Sequence, residues 1–214
     1  LERATRFHVL ARIRAGVLEA GTVEMLREAG VAHRMDVQGT PHSGCYLTDD
    51  DLMVRINFEE LTGKPVMVYG QTEVTADLYE AQDAMGTQIL HEVSDVAIHD
   101  ADGTAPYVTF TLEGAAKRVD CAYVAGCDGF HGVSRQTIPA DKRQEFARVY
   151  PIGWLGILSR TRPAHEELIY ANSSNGFALA SMRSAQLSRY YVQVPLTDRV
   201  EDWSAARFWS KLRT

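Results

Sequence analysis

Two neighbouring stretches, GFALASMRS at 176–184 and LSRYYVQVP at 187–195, carry residue types suited to a small aromatic anion. A period of two groups Phe177, Leu179, Ser181 and Arg183 on one face of the first stretch. It groups Arg189, Tyr191 and Gln193 on one face of the second. Apolar and aromatic groups take a ring, and a guanidinium takes a carboxylate through a two-pronged, charge-assisted hydrogen bond. With the turn centred on Gln186, Ser181 stands opposite Tyr191 and Arg183 opposite Arg189. Like charges directly opposed destabilise a strand pair unless an anion lies near them. Tyr170, on the preceding strand-like segment, is a further phenol for the same face. The plain alternative is the exposed polar face of an antiparallel sheet, and periodicity leaves both readings open.

Three other stretches bear chemistry. RIRAGVLE, residues 12–19, sets Arg12 and Arg14 before a helical pattern with a glycine at the junction, a phosphate-holding arrangement or a solvated basic turn. GQTEV, residues 70–74, puts the amide of Gln71 between a strand and a helix, as a ligand contact or as part of a cap. GCDGFHG, residues 126–132, follows a strand pattern, the end at which α/β proteins bind ligands. Its glycines permit close backbone approach, and Asp128 can accept hydrogen bonds from ribityl or ribose hydroxyls; an Asp-Gly pair is also a common turn. His131 and Arg135 nearby suit a second phosphate-bearing ligand, or are surface charges.

The elements that must position these residues follow from periodicity. Residues 16–29 place Leu18, Met25, Leu26 and Ala29 on one helical face with Gly30 as the stop. Residues 72–85 do the same with Val74, Leu78, Ala81 and Met85, capped by Thr72 and followed by Gly86. PVMVYG before it is a short strand. ILHEVSDVAIH, YVTFTL and RVDCAYVA switch to period two as three strands broken by DADG and EGA turns. From Gly153 onward GWLGILSR, HEELIYANSS, GFALASMRS and LSRYYVQVP are again strand-like, and EDWSAARFWSKL closes as a helix starting near Trp203 or Ser204. The fold class expected is α/β, or mixed α+β: an α/β region to about residue 150, then an antiparallel sheet layer.

A chain of 214 residues with 45% hydrophobic and 23% charged residues is long enough to bury a real core. A formal net charge of -6 without any basic run argues against nucleic acid. Cys45, Cys121 and Cys127 lack metal-ligand or disulfide-framework spacing, which fits reduced thiols in the cytoplasm. The opening LERATRFHVLARIRAG, with four arginines by residue 14, does not read as a signal peptide, and no apolar run reaches the roughly 18 residues of a membrane span.

Taken in order, LER, RIRAGVLE, LREAGV, VYGQTEVT, PYVTF, AGCDGFHG, SRQ, ARVYP, GWLGIL, ELIYAN, GFAL, LSRYYVQVPL and EDW resemble the flavoprotein aromatic hydroxylases over essentially the whole chain. VYGQTEV and SRYYVQVPL are the more specific of these matches. The resemblance implies an FAD-binding dinucleotide-type domain over residues 1–149 and a substrate-binding domain over 150–214, with 42–66 a candidate addition to the substrate sheet. Both are expected to be incomplete, because the GxGxxG turn and the later flavin motif of the family are absent from the sequence. By the same resemblance Glu2, Arg14, Gln71 and Asp128 are FAD contacts. Arg3, Arg12, His131 and Arg135 belong to the nicotinamide-nucleotide site, with Arg3 and Arg6 leaning towards NADPH over NADH. Ser181, Arg183 and Tyr191 grip a substrate carboxylate, and Tyr170 bonds its phenol. Arg189 lies by the flavin, and His42 ends a proton relay. The family's chemistry uses NAD(P)H to reduce FAD, O2, and a flavin hydroperoxide that oxygenates the ring beside the phenol. Its members are commonly homodimers at full length. The alternatives are a related hydroxybenzoate or phenol hydroxylase, or a non-catalytic piece of such an enzyme.

Overall fold

The computed structural model describes residues 1–12 and 15–213. In chain order its elements begin with α1 (Arg6–Ala11), β1 (Val17–Leu18), α2 (Ala20–Glu28), α3 (His33–Gln38), β2 (Thr40–His42) and β3 (Gly44–Asp49). Next come β4 (Leu52–Asn57), α4 (Phe58–Thr62), β5 (Val66–Val68), α5 (Gln71–Ala84), β6 (Ser94–His99), β7 (Tyr107–Leu112) and β8 (Ala115–Asp120). The chain closes with α6 (Val133–Thr137), β9 (Ile152–Ser159), β10 (Leu168–Ser173), β11 (Gly176–Ser184), β12 (Leu187–Pro195) and α7 (Ala205–Leu212). The result is the mixed α/β architecture expected. By packing, it divides into two compact units, Leu1–Arg12 with Gln82–Arg148, and Ile13–Ala81 with Val149–Thr214.

In the first unit, β6, β7 and β8 form an antiparallel sheet in sequence order. Val93, Val108 and Phe110 are buried beneath it, with Leu90, Ile98 and Val124 packed around them. The strand expected over RVDCAYVA is instead placed earlier, at Ala115–Asp120. The glycine of the EGA turn has φ +74 and Glu113 φ +52, a tight connection that lets the strand start at Ala115. GCDGFHG therefore follows a non-strand segment after Asp120 rather than a strand end.

The second unit holds two sheets. β5 is the centre of a three-stranded sheet, flanked by antiparallel β1 and β2. Val17 and Leu18 are thus strand rather than the first turn of a helix. Gly16 and the β-branched Val17 favour extension, and the Gly16 carbonyl accepts from Tyr69 N at 3.0 Å. The helix begins only at Ala20, and its buried face is Val23 and Leu26, with Met25 67% exposed. Gly30 ends it with φ +73, as expected. Val23, Leu26, Ala32, Met35 and Tyr69 form the core on this sheet. The helix expected over 72–85 spans Gln71–Ala84, so Thr72 lies inside its first turn. Tyr79 rather than Leu78 or Met85 is its buried residue.

The other sheet has six strands in the order β4-β3-β10-β11-β12-β9. All pairings are antiparallel except β3 with β10, which run parallel. Residues 44–57 therefore lie in the same sheet as the two stretches that opened the sequence reading. One face is covered by α7: Ser204 caps it by accepting from Arg207 N at 3.1 Å, and Phe208, Trp209 and Leu212 pack on Tyr190, Val192, Leu155 and Ile157. Val192 and Phe208 are each 1% exposed. The opposite face carries the candidate site.

Candidate substrate and cofactor site

Strand register builds a continuous row across the uncovered face. Val54, Leu47, Tyr170, Leu179, Tyr191 and Gly156 are successive cross-strand partners. Tyr170 and Tyr191 stand on either side of Leu179, two strand spacings or roughly 10 Å apart. A second row runs beside it, in which Ser181 pairs with Arg189 and Arg189 with Leu158. The expected opposition of Ser181 with Tyr191 and of Arg183 with Arg189 is thus corrected by two residues. A two-residue turn at Ala185–Gln186 and a bulge between Met182 and Ser184 set this register. An even shift keeps every side chain on its face, so the grouping of Phe177, Leu179, Ser181, Arg183, Arg189 and Tyr191 survives. The bulge also leaves Arg183 without a directly opposed residue, which removes the like-charge opposition.

Arg183 turns its guanidinium towards the chain before β1 and the start of α5. A Cβ at Gly16 would overlap its Nη1, and one at Gly70 would stand 3.1 Å from its Nη2. Burial pulls the proton affinity of this guanidinium below the ordinary range, and Arg189 adds to that; Tyr191 and Glu73 oppose it. A desolvated cation with few acceptors is a strong anion site. Arg189 lies 4.8 Å from the Tyr191 ring centre, a cation–π contact on the same face. The Tyr191 ring rests over Gly156, where a Cβ would come within 2.6 Å of Cε1. Trp154 meets Tyr191 and Phe177 edge-on at 6.1 and 5.6 Å between ring centres, so the face offers aromatic walls. Burial raises the Tyr170 hydroxyl above its usual value, with Cys45 adding to it, so the hydroxyl keeps a proton available to donate.

His42 ends β2, 6% exposed, and its Nε2 is buried without a hydrogen-bond partner among the described residues. Burial lowers its proton affinity, partly offset by Glu167 and Glu166. Sequence reading assigned no site role to Glu167, which acts on it, nor to Arg55 and Cys45 around Glu167. Only the ELIYAN match touched Glu167, and nothing local marks the other two.

The residues assigned to nucleotides are divided between the units. Gln71 opens α5, its backbone N–H donating to the Ala15 carbonyl at 2.9 Å. Arg14 lies outside the described residues. In the first unit, Glu2 bridges Leu90 and Val93 through its backbone, and its carboxylate accepts from Ala4 N at 2.8 Å. Arg3 and Arg12 are exposed. Asp128 folds over its own loop: a Cβ at Gly132 would collide with its carboxylate, which accepts from Ser134 N at 2.9 Å. That backbone bond holds the carboxyl below the usual carboxylate range. Glu2 and Asp128 are fixed carboxylates, the groups that accept hydrogen bonds from ribose and ribityl hydroxyls, so they fit a flavin nucleotide. Arg135 stacks on Phe130 at 4.0 Å and pairs with Glu145 at 3.0 Å, its Nε buried without a hydrogen-bond partner among the described residues. His131 is exposed and meets Phe130 edge-on. Cys45, Cys121 and Cys127 are free thiols, and no group of metal-binding side chains occurs among the described residues. No helix among them is long and apolar enough to cross a membrane.

The chain belongs to the FAD binding domain family, whose model matches residues 1–214. It is 48% identical over all 214 residues to p-hydroxybenzoate hydroxylase of Acinetobacter baylyi, strain ATCC 33305 / BD413 / ADP1. The chain spans about half the length of that relative, 53%. Among solved structures, the flavin-dependent halogenase CmlS superposes with a TM-score of 0.73 at 16% identity, over 99% of this chain and 40% of that one. The p-nitrophenol 4-monooxygenase PnpA of Pseudomonas putida DLL-E4 gives 0.65 at 13% identity, over 93% of this chain and 52% of that one. These two likenesses establish the fold.

Proposed function

We propose that the chain is part of an FAD-dependent monooxygenase that converts 4-hydroxybenzoate to 3,4-dihydroxybenzoate with O2 and NADPH, or NADH in its place. The observation that carries this reading is the uncovered sheet face, where the partly desolvated Arg183 and the half-buried phenol of Tyr170 lie on one aromatic-walled surface. The identity with a p-hydroxybenzoate hydroxylase over the whole chain supports it. In this reading residues 1–149 contribute to the flavin domain, apart from a segment within 42–66 that joins the substrate sheet, and 150–214 to the substrate domain of a cytoplasmic homodimer.

Each residue then has a task. Arg183, Ser181 and Tyr191 hold the carboxylate, while Leu179 and Phe177 receive the ring. Arg189 lies beside the flavin. Glu2, Arg14, Gln71 and Asp128 hold FAD, and Arg3, Arg12, His131 and Arg135 serve the nicotinamide nucleotide. When bound, the flavin supplies the oxygen chemistry. Ring attack needs an electron-rich phenolate, and a free phenol titrates near about 10, so the site must ease proton removal. Tyr170, kept protonated by its burial, donates to the substrate oxygen and stabilises the phenolate. His42 takes the proton outward.

The test is turnover of the intact protein with FAD, NADPH and 4-hydroxybenzoate, with 3,4-dihydroxybenzoate as the product assayed. Absence of substrate-dependent NADPH oxidation and of that product sinks the reading. Arg183→Ala should cost about 1.5–3 kcal/mol of benzoate affinity. Undiminished affinity would show that the face is not the carboxylate site.

A further inference from the structure

The crossing from β2 to β3 holds a charged cluster that the substrate face does not use. Glu167, at the entrance to β10, is clamped by Arg55: Nε donates to Oε2 at 2.7 Å and Nη2 to Oε1 at 2.7 Å. Arg55 Nη2 also donates to Ser43 Oγ at 3.0 Å, and that hydroxyl stands 3.5 Å from Glu167 Oε1. Ser43 is the residue after His42, whose imidazole is buried with Nε2 orphaned. Gly44 makes the clamp possible, because a Cβ there would strike the Ile56 carbonyl and stand 3.0 Å from Arg55 Nη2. The Ser43 carbonyl accepts from Phe58 N at 2.7 Å and Glu59 N at 3.3 Å, which pins the crossing from the β4 side. The Glu167 backbone N–H donates to His165 Nδ1 at 2.9 Å.

The Glu167 side chain is only 12% exposed, so its charge acts with little screening by water. Burial disfavours an imidazolium, and a fixed carboxylate nearby favours it. We propose that Glu167, held by Arg55 and Ser43, is a positioning residue for His42, the fixed negative charge that favours a proton on the buried imidazole against the cost of its burial. This rests on the reading of His42 as the outer end of the proton path. The same strand that Glu167 enters presents Tyr170 three residues later, so the clamp and the inner donor share one element, while His42 lies on β2. The other charged and titratable groups around the crossing are Glu166 and His165 before β10, Arg55 on β4, and Cys45 and Tyr46 on β3, with the Tyr46 ring against His165. Burial is the largest influence on His42 and lowers its proton affinity; Glu167 and then Glu166 raise it, and His165 lowers it.

The imidazole resonances of His42 in the full chain, followed by NMR against pH, give the test. Glu167→Gln should lower the His42 midpoint by about one pH unit. Arg55→Gln breaks the same clamp but leaves the carboxylate, so its midpoint should not fall with it. A midpoint that does not fall in Glu167→Gln, or an equal fall in both variants, overturns the proposal, the latter by reducing the clamp to a mechanical brace. In the unmutated chain the coupling is read without any substitution: the Glu167 side-chain carboxyl resonance should carry an inflection at the His42 midpoint, and its absence overturns the proposal even if a variant fails to fold. Neither flavin nor substrate is needed. An unmoved His42 removes the role of Glu167 alone, while missing product in the intact protein removes the hydroxylase reading alone.

Discussion

The guanidinium of Arg183 fills the space that a side chain at Gly16 would need. The glycine in RIRAGVLE is therefore a packing partner of the substrate face as well as a bend before β1. Gly16→Ala should leave the fold intact, because the atom displaced is the far end of a flexible side chain. It should push Arg183 from its seat and weaken 4-hydroxybenzoate binding about tenfold, or ~1.4 kcal/mol. Calorimetric titration of the intact FAD-loaded protein checks this, with thermal unfolding alongside it. Unchanged affinity would mean that Arg183 binds from another position.

Tyr170 gives a prediction of sign. Its burial keeps the hydroxyl protonated, so in the proposed complex it would donate to the substrate oxygen and favour phenolate over phenol. Tyr170→Phe removes that donor and should raise the pH at which bound 4-hydroxybenzoate ionises, while leaving carboxylate-driven affinity nearly intact. Phenolate absorbance of the bound ligand against pH reads the shift directly. A fall, or no change, would remove Tyr170 from its assigned place.

Much of this arrangement was legible in the sequence, and the failures have physical causes. Period two grouped Arg183, Ser181 and Tyr191 on one face, and the grouping survived a register error of two residues, because an even slip does not change faces. The bulge at Arg183 was not legible, since the period of two carries no sign of the extra residue between Met182 and Ser184. The β3–β10 pairing joins Cys45 with Leu168 across more than a hundred residues, and no local pattern encodes a partner that far away. Arg55 and Glu167 meet only through that pairing, so the clamp was invisible. Val17 and Leu18 were read as helix because Leu18 fits a helical face as readily as a short strand; the Gly16 bond to Tyr69 decides it.

The α7 cover makes a stability prediction. Phe208 is 1% exposed and packs with Trp209 and Leu212 on Tyr190 and Val192. Phe208→Ala should cost about 3–5 kcal/mol in denaturant unfolding, the range for truncating a buried ring that leaves a cavity. Leu196→Ala, at an exposed position beyond β12, should cost well under about 1 kcal/mol. Similar losses in the two variants would mean that α7 is not what covers the sheet.

The Arg55 clamp predicts how the fold responds to acid. Arg55 is the main reason that the Glu167 carboxyl lies below its ordinary value of 4.5; burial opposes the shift, and His42 and His165 assist it. A carboxyl depressed in the folded state contributes stability that is present in full above its unfolded value and is lost as pH falls through the folded one. The window is therefore on the acid side of 4.5, and neutral-pH stability should be flat with respect to this group. Urea unfolding midpoints measured from neutrality down to about pH 3 should fall in the unmutated chain and fall less in Glu167→Gln, which has no proton to gain. Equal slopes in the two proteins would mean that Glu167 is not the carboxylate that acid disarms, and the carboxylates paired with Arg34, Glu73 and Asp77, would be the next to test.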